Sequence, residues 1–201
     1  MLLQKLAGFS QEDGDEAHPW HGLTPAPVVT GLVAGTLVEG AAGWLPVERL
    51  NVGDTVQTLD GGLARIMGID RRQLRPAAEN ALIHLPGGLH DACADLLLVP
   101  GQHVLIDTLD DAEIGAPFAM VPAMALTADR RVRRQFPQRA VEIVTPLFAD
   151  EEVVYANSGV LLHCPGLMDG AGRYPENSFF LRLNMTEARA FLQRRADRLA
   201  A

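Results

Sequence analysis

Residues 31–62 constrain the fold of this chain more than any other stretch. Aliphatic and β-branched residues come there in short runs, over residues 36–38, 44–47 and 55–59, and glycines or other turn residues separate the runs. Such runs are typical of β-strands, and Asp60-Gly61-Gly62 is typical of a hairpin turn. Several short strands with a turn every few positions predict a small all-β unit.

The same pattern continues to about residue 166. We predict further strands over residues 64–72, 81–85, 96–100, 104–106 and 140–148, with a strand and a helical turn inside the irregular region 107–140. Residues 151–164 predict a β-hairpin, because Asn157-Ser158-Gly159 separates two aliphatic runs. We therefore assign residues 29–166 to one β domain.

The two ends of the chain differ from this body. Residues 1–28 contain several prolines and a charged turn, which predict a tail, and residues 167–183 are rich in glycine and polar residues, as in a linker. Asn184 followed by Glu187 predicts a capping box and a C-terminal helix. One side of this helix is apolar and predicts packing on the β body or on a second copy: Met185, Ala188, Leu192 and Leu199.

Composition excludes some classes of function. A net charge of −8 argues against general nucleic-acid binding. No apolar run approaches the length of a membrane span, and the N-terminus lacks the apolar core of a signal peptide, so we expect a cytoplasmic protein. Arginines cluster over residues 130–134 and 194–198; we interpret them as solvated faces, with a local acidic partner as the alternative.

Three blocks of this sequence resemble the Hint domain, the Hedgehog/intein autoprocessing module. GTLVEGAAGWLPVERLNVGDTVQTLDGG resembles its opening block, PGQHVLI its histidine block and VVYANSGVLLHC its closing block. The resemblance covers about residues 30–166 and implies a Hint-type compact β fold. Family members usually have a cysteine four residues before the glycine of the Gly-Thr pair, and here that position is Gly31.

The resemblance also implies a reaction centre. A nucleophile attacks the preceding peptide carbonyl, a histidine assists, and in inteins a terminal asparagine then cyclises. His103 and His163 fall on the family's histidines, Pro100 stands at a serine or threonine position, and Cys164 stands where the asparagine would be. If the family fold holds, Gly31, His103, His163 and Cys164 lie near one another.

Glycine has no side chain, so Gly31 cannot be the nucleophile and the first acyl shift cannot occur. We predict a catalytically degenerate Hint module that serves as a binding or scaffold domain for an unknown protein partner. The alternative is residual autoproteolytic or acyl-transfer activity through Cys164 and His103. Against it, an ordinary thiol is only a few per cent ionised at neutral pH, and a buried cysteine more often acts as a small hydrophobe.

His103 itself leaves three roles open: an active-site relic, a structural hydrogen-bonding residue or a working base. A zinc site would need His84, His90, Cys93 and His103 to converge, without a paired CxxC motif to support it. We therefore expect no metal and no cofactor. Neither nucleic acid nor a membrane is expected as a partner, whereas dimerisation through the C-terminal helix could accompany either function.

Overall fold

The structure, a computed structural model, describes residues 30–168 and 178–200. The tail predicted over residues 1–28 and most of the predicted linker lie outside the described residues. The described part consists mostly of short β-strands with one C-terminal α-helix, which confirms the predicted all-β class.

Fifteen strands alternate with turns along the described chain: β1 (Leu32–Val33), β2 (Leu37–Gly40), β3 (Gly43–Pro46), β4 (Thr55–Thr58), β5 (Gly62–Arg65), β6 (Gly68–Leu74), β7 (Leu82–Leu85), β8 (Leu96–Leu98), β9 (His103–Asp107), β10 (Phe118–Pro122), β11 (Arg133–Gln135), β12 (Val141–Leu147), β13 (Glu152–Ala156), β14 (Val160–Cys164) and β15 (Leu181–Arg182). Two 3-10 helices, Val47–Arg49 and Ala123–Ala128, follow β3 and β10, and helix α1 spans Met185–Ala200.

The strands form two sheets. Six strands form one sheet in the order β11-β7-β8-β1-β12-β6. The other sheet follows the order β15-β10-β9-β14-β13-β2-β4-β5, with β3 paired to β2. All pairings between these strands are antiparallel except that of β10 with β15. Strand β15 lies in the segment that was predicted as a linker. The short β1 thus lies between β8 and β12, so the first strand of the described residues is a central strand.

The chain changes sheets where a single strand was predicted over residues 64–72. β5 pairs with β4 in the larger sheet, whereas β6 pairs along its whole length with β12 in the smaller one. Between them, Ile66 is fully buried and its backbone N–H donates to the carbonyl of Asp54. The alternation of residue types does not reveal such a change, because it continues through the corner.

One main hydrophobic core connects both sheets with α1. Asn184 and Glu187 form the predicted capping box, since Asn184 Oδ1 accepts from the N–H of Glu187 and Glu187 Oε2 accepts from that of Asn184. Ala188 and Phe191 of α1 are fully buried, and α1 packs on β10 and the second 3-10 helix, whereas Leu199 is 83% exposed. Among the described residues, no helix is long and apolar enough to cross a membrane.

Candidate functional site

Gln102 connects the three blocks that the sequence singled out. Its Oε1 accepts a hydrogen bond of 3.0 Å from the backbone N–H of Gly31. Its Nε2 donates to the carbonyl oxygens of His163, at 2.8 Å, and His103, at 3.1 Å. The side chain is only 1% exposed. The beginning of β1, the beginning of β9 and the end of β14 therefore meet at one buried amide.

Sequence reasoning missed Gln102, although it directly precedes His103. A glutamine in a turn between two strands is usually solvated, and the pattern of residues around Gln102 gave no sign that it is buried. The one signal in the sequence was its place inside the block that resembles the family's histidine block.

The position of Gly31 is closed to a side chain. Its φ is +127°, a backbone conformation that favours glycine. A Cβ built there would overlap Oγ1 of Thr145 and lie 2.8 Å from Cγ2 of Ile143. The hydroxyl of Thr145 in turn donates to the carbonyl oxygen of Thr30 at 3.3 Å. Side chains from β12 thus fill the space where a nucleophile on residue 31 would lie.

His103 lies at the first residue of β9 and is 9% exposed. Burial lowers the pKa of His103 to about 3, and the nearby charges of Arg182 and His163 act in the same direction. The imidazole is therefore neutral at neutral pH. A neutral imidazole can accept a proton or a hydrogen bond, but it is not the imidazolium that would protonate a leaving amine.

His163 lies in a buried polar cluster with Glu151 and Arg182. Its Nε2 is 3.2 Å from Oε2 of Glu151 and 3.0 Å from a guanidinium nitrogen of Arg182, which also donates to Glu151 at 2.8 Å. A guanidinium can only donate, so the contact with Arg182 requires a bare Nε2, whereas the contact with Glu151 requires Nε2–H. The presence or absence of a proton on Nε2, which depends on the tautomer of the ring, therefore selects the partner of His163.

Glu151 also anchors the segment that precedes α1. It accepts hydrogen bonds from the hydroxyl of Ser178, at 2.8 and 3.0 Å, and from the backbone N–H of Phe179. Burial alone would raise the pKa of Glu151, but hydrogen bonds from His163, Ser178 and Phe179 outweigh it and lower the pKa to about 2. The carboxylate is thus ionised and serves as the hub of the cluster.

Cys164 lies beside His163 in the sequence, but its side chain belongs to the apolar core. The thiol is fully buried, and burial raises its pKa far above the ordinary value, with the charge of Glu152 adding to the effect. Adjacent residues of a strand point to opposite faces, which explains the different surroundings of the two side chains. The structure brings Gly31, His103 and His163 together and leaves the Cys164 thiol apart from them.

No metal-binding group is present in residues 30–168 and 178–200. No three or more histidine, cysteine, aspartate or glutamate side chains are placed there to hold a metal ion. Of the four residues considered for zinc, His84 instead contacts Asp95, with Nε2 and Oδ2 at 3.0 Å. The site as built offers a neutral imidazole, a charged Glu–Arg–His cluster and a polarised Thr30 carbonyl. Residue 31 provides no nucleophile to attack the Thr30 carbonyl.

Solved structures similar to this chain include two intein-related proteins. One is a GSH-linked, splice-inactive variant of the AceL NrdHF class 3 split intein, with 13% sequence identity and a TM-score of 0.47, covering 69% of this chain and 99% of that one. The other is a bacterial intein-like domain from Clostridium thermocellum, with 17% identity and a TM-score of 0.49, covering 67% of this chain and 99% of that one. No curated protein matches the chain.

The family model described as Hint domain matches residues 30–161, which is well over half of the chain. This range begins at the residue before Gly31 and includes His103 and the Asn157 turn, so it contains the first two predicted blocks and most of the third. The resemblance stated from the sequence is therefore confirmed, and the chain belongs to the Hint domain family.

Proposed function

We propose that this Hint domain no longer splices or cleaves its own chain and serves instead as a binding or scaffold domain. The observation that carries the proposal is the surroundings of Gly31. Autoprocessing begins when a thiol or hydroxyl at this position attacks the preceding carbonyl. At Gly31 the backbone has φ of +127°, and Thr145 and Ile143 occupy the space that a Cβ would need.

The remaining parts of the site support the same proposal. The Thr145 hydroxyl polarises the Thr30 carbonyl, yet polarisation without an attacking atom yields no acyl intermediate. The lowered pKa of His103 leaves it uncharged at neutral pH, so it would be a poor acid for a leaving amine. Gln102 connects the blocks through hydrogen bonds that stabilise the scaffold, whether or not any reaction takes place.

The alternative, acyl transfer by Cys164 with His103, has less support. A nucleophilic thiol has to ionise and has to reach the acyl group. Cys164 is fully buried in the core, and its pKa is raised rather than lowered. We therefore assign Cys164 a packing role.

Intact-mass measurement of the full-length protein tests the proposal. The protein is incubated at neutral pH with and without hydroxylamine or a small thiol, which would release a peptide from any ester or thioester. We expect one unchanged mass in all three samples. A product that begins at Gly31 would overturn the proposal, and loss of that product in Cys164→Ala or His103→Ala would support the alternative.

A binding role implies a protein partner, which we propose together with a cytoplasmic location. The location is supported by two free cysteines, one of them the exposed Cys93, since exposed thiols persist in a reducing compartment. The acidic net charge of −8 supports the exclusion of nucleic acid as a partner.

A further inference from the structure

A cavity of about 1220 Å³ lies between α1 and the β body, away from Gly31 and His103. Its walls come from four segments: residues 88–93 between β7 and β8, residues 126–131 at and after the end of the second 3-10 helix, the hairpin turn 158–159 and the face of α1 from 192 to 199. The hairpin turn packs tightly on the first of these segments, because a Cβ at Gly159 would overlap the carbonyl oxygen of Asp91. The cavity is thus built by the tertiary fold.

Apolar side chains form part of the lining. Leu126 and Leu192 are buried in the core and contribute to the wall, and Ala128 and Ala196 are small enough to leave room beside them. Leu199, 83% exposed, extends the apolar surface outwards along α1. An apolar side chain that entered here would remove this surface from water, a gain of about 25 cal/mol per Å².

Positive charge exceeds negative charge around this lining. The lining contains three arginines, Arg130, Arg131 and Arg195, and two aspartates, Asp91 and Asp129. Asp129 is already paired with Arg131, whose guanidinium nitrogen lies 2.7 Å from its Oδ2. This local excess is opposite in sign to the net charge of −8 of the whole chain.

Arg130 and Arg195 are the charges available to a ligand. Arg195 donates to the backbone carbonyl of Asp107 at 2.7 Å, and within the described parts of the chain neither arginine forms an ion pair. The charge of Arg195 acts inside the cavity: burial lowers the pKa of His90, and Arg195 adds to that shift, while Asp129 and Asp91 oppose it. A guanidinium in such a place pairs well with a carboxylate.

We propose that this cavity binds an acidic peptide segment with apolar side chains, supplied by a protein partner. The apolar wall would take the apolar side chains, and Arg130 and Arg195 would pair with the carboxylates. The volume exceeds the ~300–1,000 Å³ of ordinary small-molecule pockets, which favours a peptide over a small ligand. The inference rests on the proposed binding function and names the class of partner.

Cys93 provides a reporter inside the same cavity. It lines the wall, is exposed, and its Sγ donates to the carbonyl of Ser158 at 3.1 Å. The second thiol, that of Cys164, is fully buried and should not react in the folded protein. The rate at which a disulfide reagent such as dithionitrobenzoate modifies Cys93 therefore measures whether the cavity is occupied.

The experiment measures this rate in the full-length protein as a blocked ten-residue peptide of leucine and glutamate is added. We expect saturable slowing of at least about fivefold, and none with the same peptide carrying glutamine in place of glutamate. Arg130→Gln combined with Arg195→Gln should weaken the apparent affinity about tenfold. Arg133→Gln with Arg134→Gln, on exposed strand β11 outside the cavity, is the matched control and should leave affinity unchanged.

Three results would overturn the inference. The glutamate peptide could fail to slow the labelling of Cys93, or both peptides could slow it equally. Decanoate could slow it where neither peptide does, which would indicate a lipid ligand. A fourth is faster labelling after residues Glu12, Asp13, Asp15 and Glu16 are changed to amides, since the chain's own segment would then be the occupant. Intact mass is recorded on the same samples. Cleavage before Gly31 would overturn the proposed function alone, whereas unprotected Cys93 in an uncleaved protein would overturn the cavity inference alone.

Discussion

The backbone N–H of Gly31 donates a 3.0 Å hydrogen bond to Oε1 of Gln102, although 71 positions separate the two residues in the chain. The same glutamine donates to the backbone of His163 and His103. One buried side chain thus connects the opening, middle and closing blocks of the Hint domain. The pairing of β1 with β12 places residue 31 against β12, where Thr145 and Ile143 exclude a side chain.

Removing the Gln102 amide should destabilise the fold more than an ordinary polar substitution. Gln102→Met keeps the volume but leaves the Gly31 N–H without this acceptor and takes a donor from two carbonyls, so we expect a loss of about 2–4 kcal/mol in the free energy of unfolding. Urea denaturation measures it. Gln138→Met, at an exposed position, is the control and should cost less than about 0.5 kcal/mol. Equal costs at the two positions would contradict the connecting role.

Restoring the family's cysteine at residue 31 should damage the fold and not revive cleavage. Gly31→Cys adds left-handed strain and an overlap with Thr145 and Ile143, so we expect a loss of about 2–5 kcal/mol in stability. Chemical denaturation gives the stability and mass spectrometry the integrity of the chain.

Gly35→Ala is the matched control for that experiment. Gly35 has φ of +93°, but nothing lies within 4 Å of where its Cβ would be. This change should cost only the backbone strain, about 1 kcal/mol. If Gly31→Cys were as mild as Gly35→Ala, the closed space at residue 31 would no longer support the proposed loss of self-cleavage.

Acidification should destabilise the protein in two overlapping pH windows. The folded pKa of His103, about 3, lies below its ordinary value of 6.5, so the unfolded state binds more protons between these values. The contribution of the neutral imidazole to the free energy of unfolding is fully present above about pH 6.5, and it is lost as the pH drops towards 3. Glu151, with a pKa of about 2 against an ordinary 4.5, adds a further loss between those values.

His103→Gln should flatten the upper part of this pH dependence, and Glu151→Gln the lower part. Urea midpoints measured from pH 7 to pH 3 would show both effects. For His103 the expected difference across its window is of the order of 2–4 kcal/mol. A His103→Gln curve parallel to that of the wild type from pH 6.5 to 4.5 would contradict a buried neutral histidine.

The two thiols should differ sharply in reactivity. Cys93 is exposed, while Cys164 is fully buried with a raised pKa, so a disulfide reagent should modify one thiol per chain in the native state and two in denaturant. Cys93→Ser should remove the native reaction, and Cys164→Ala should retain it at a stability cost of about 1–2 kcal/mol. Rapid native labelling in Cys93→Ser would contradict the burial of Cys164.

Asp111 should hold α1 on the body. Its side chain is 2% exposed and lies 3.0 Å from Arg194 and 3.4 Å from Arg198. Asp111→Asn removes the buried charge that both guanidinium groups share, and we expect about 2–3 kcal/mol of destabilisation in urea. Glu113→Gln is the control, because Glu113 pairs with the same Arg194 at 3.0 Å but is 71% exposed and should contribute less than about 1 kcal/mol. A larger effect at Glu113 would reverse this assignment.

Local patterns in the sequence predicted most of the elements of this fold. Short aliphatic runs between turn residues predicted β-strands, and Asn184 with Glu187 predicted the beginning of α1, because a capping box depends only on residues three positions apart. Residues 64–72 were predicted as one strand because alternation does not record which sheet a strand joins. The change of sheets at Ile66 depends on partners far away in the chain.

The sequence by itself determined that this is a Hint domain and that residue 31 brings no nucleophile, since both depend on residue identity in matched blocks. Only the tertiary structure decided the rest of the site. Gln102 connects Gly31 to His103 and His163, Thr145 fills the empty position, and Cys164 turns into the core. The long-range hydrogen bonds among these contacts join residues 61–115 positions apart, and no local pattern encodes such pairs. Alternation along β14 separates His163 from Cys164, but only the packing of the sheets decides which of the two faces lies in the core.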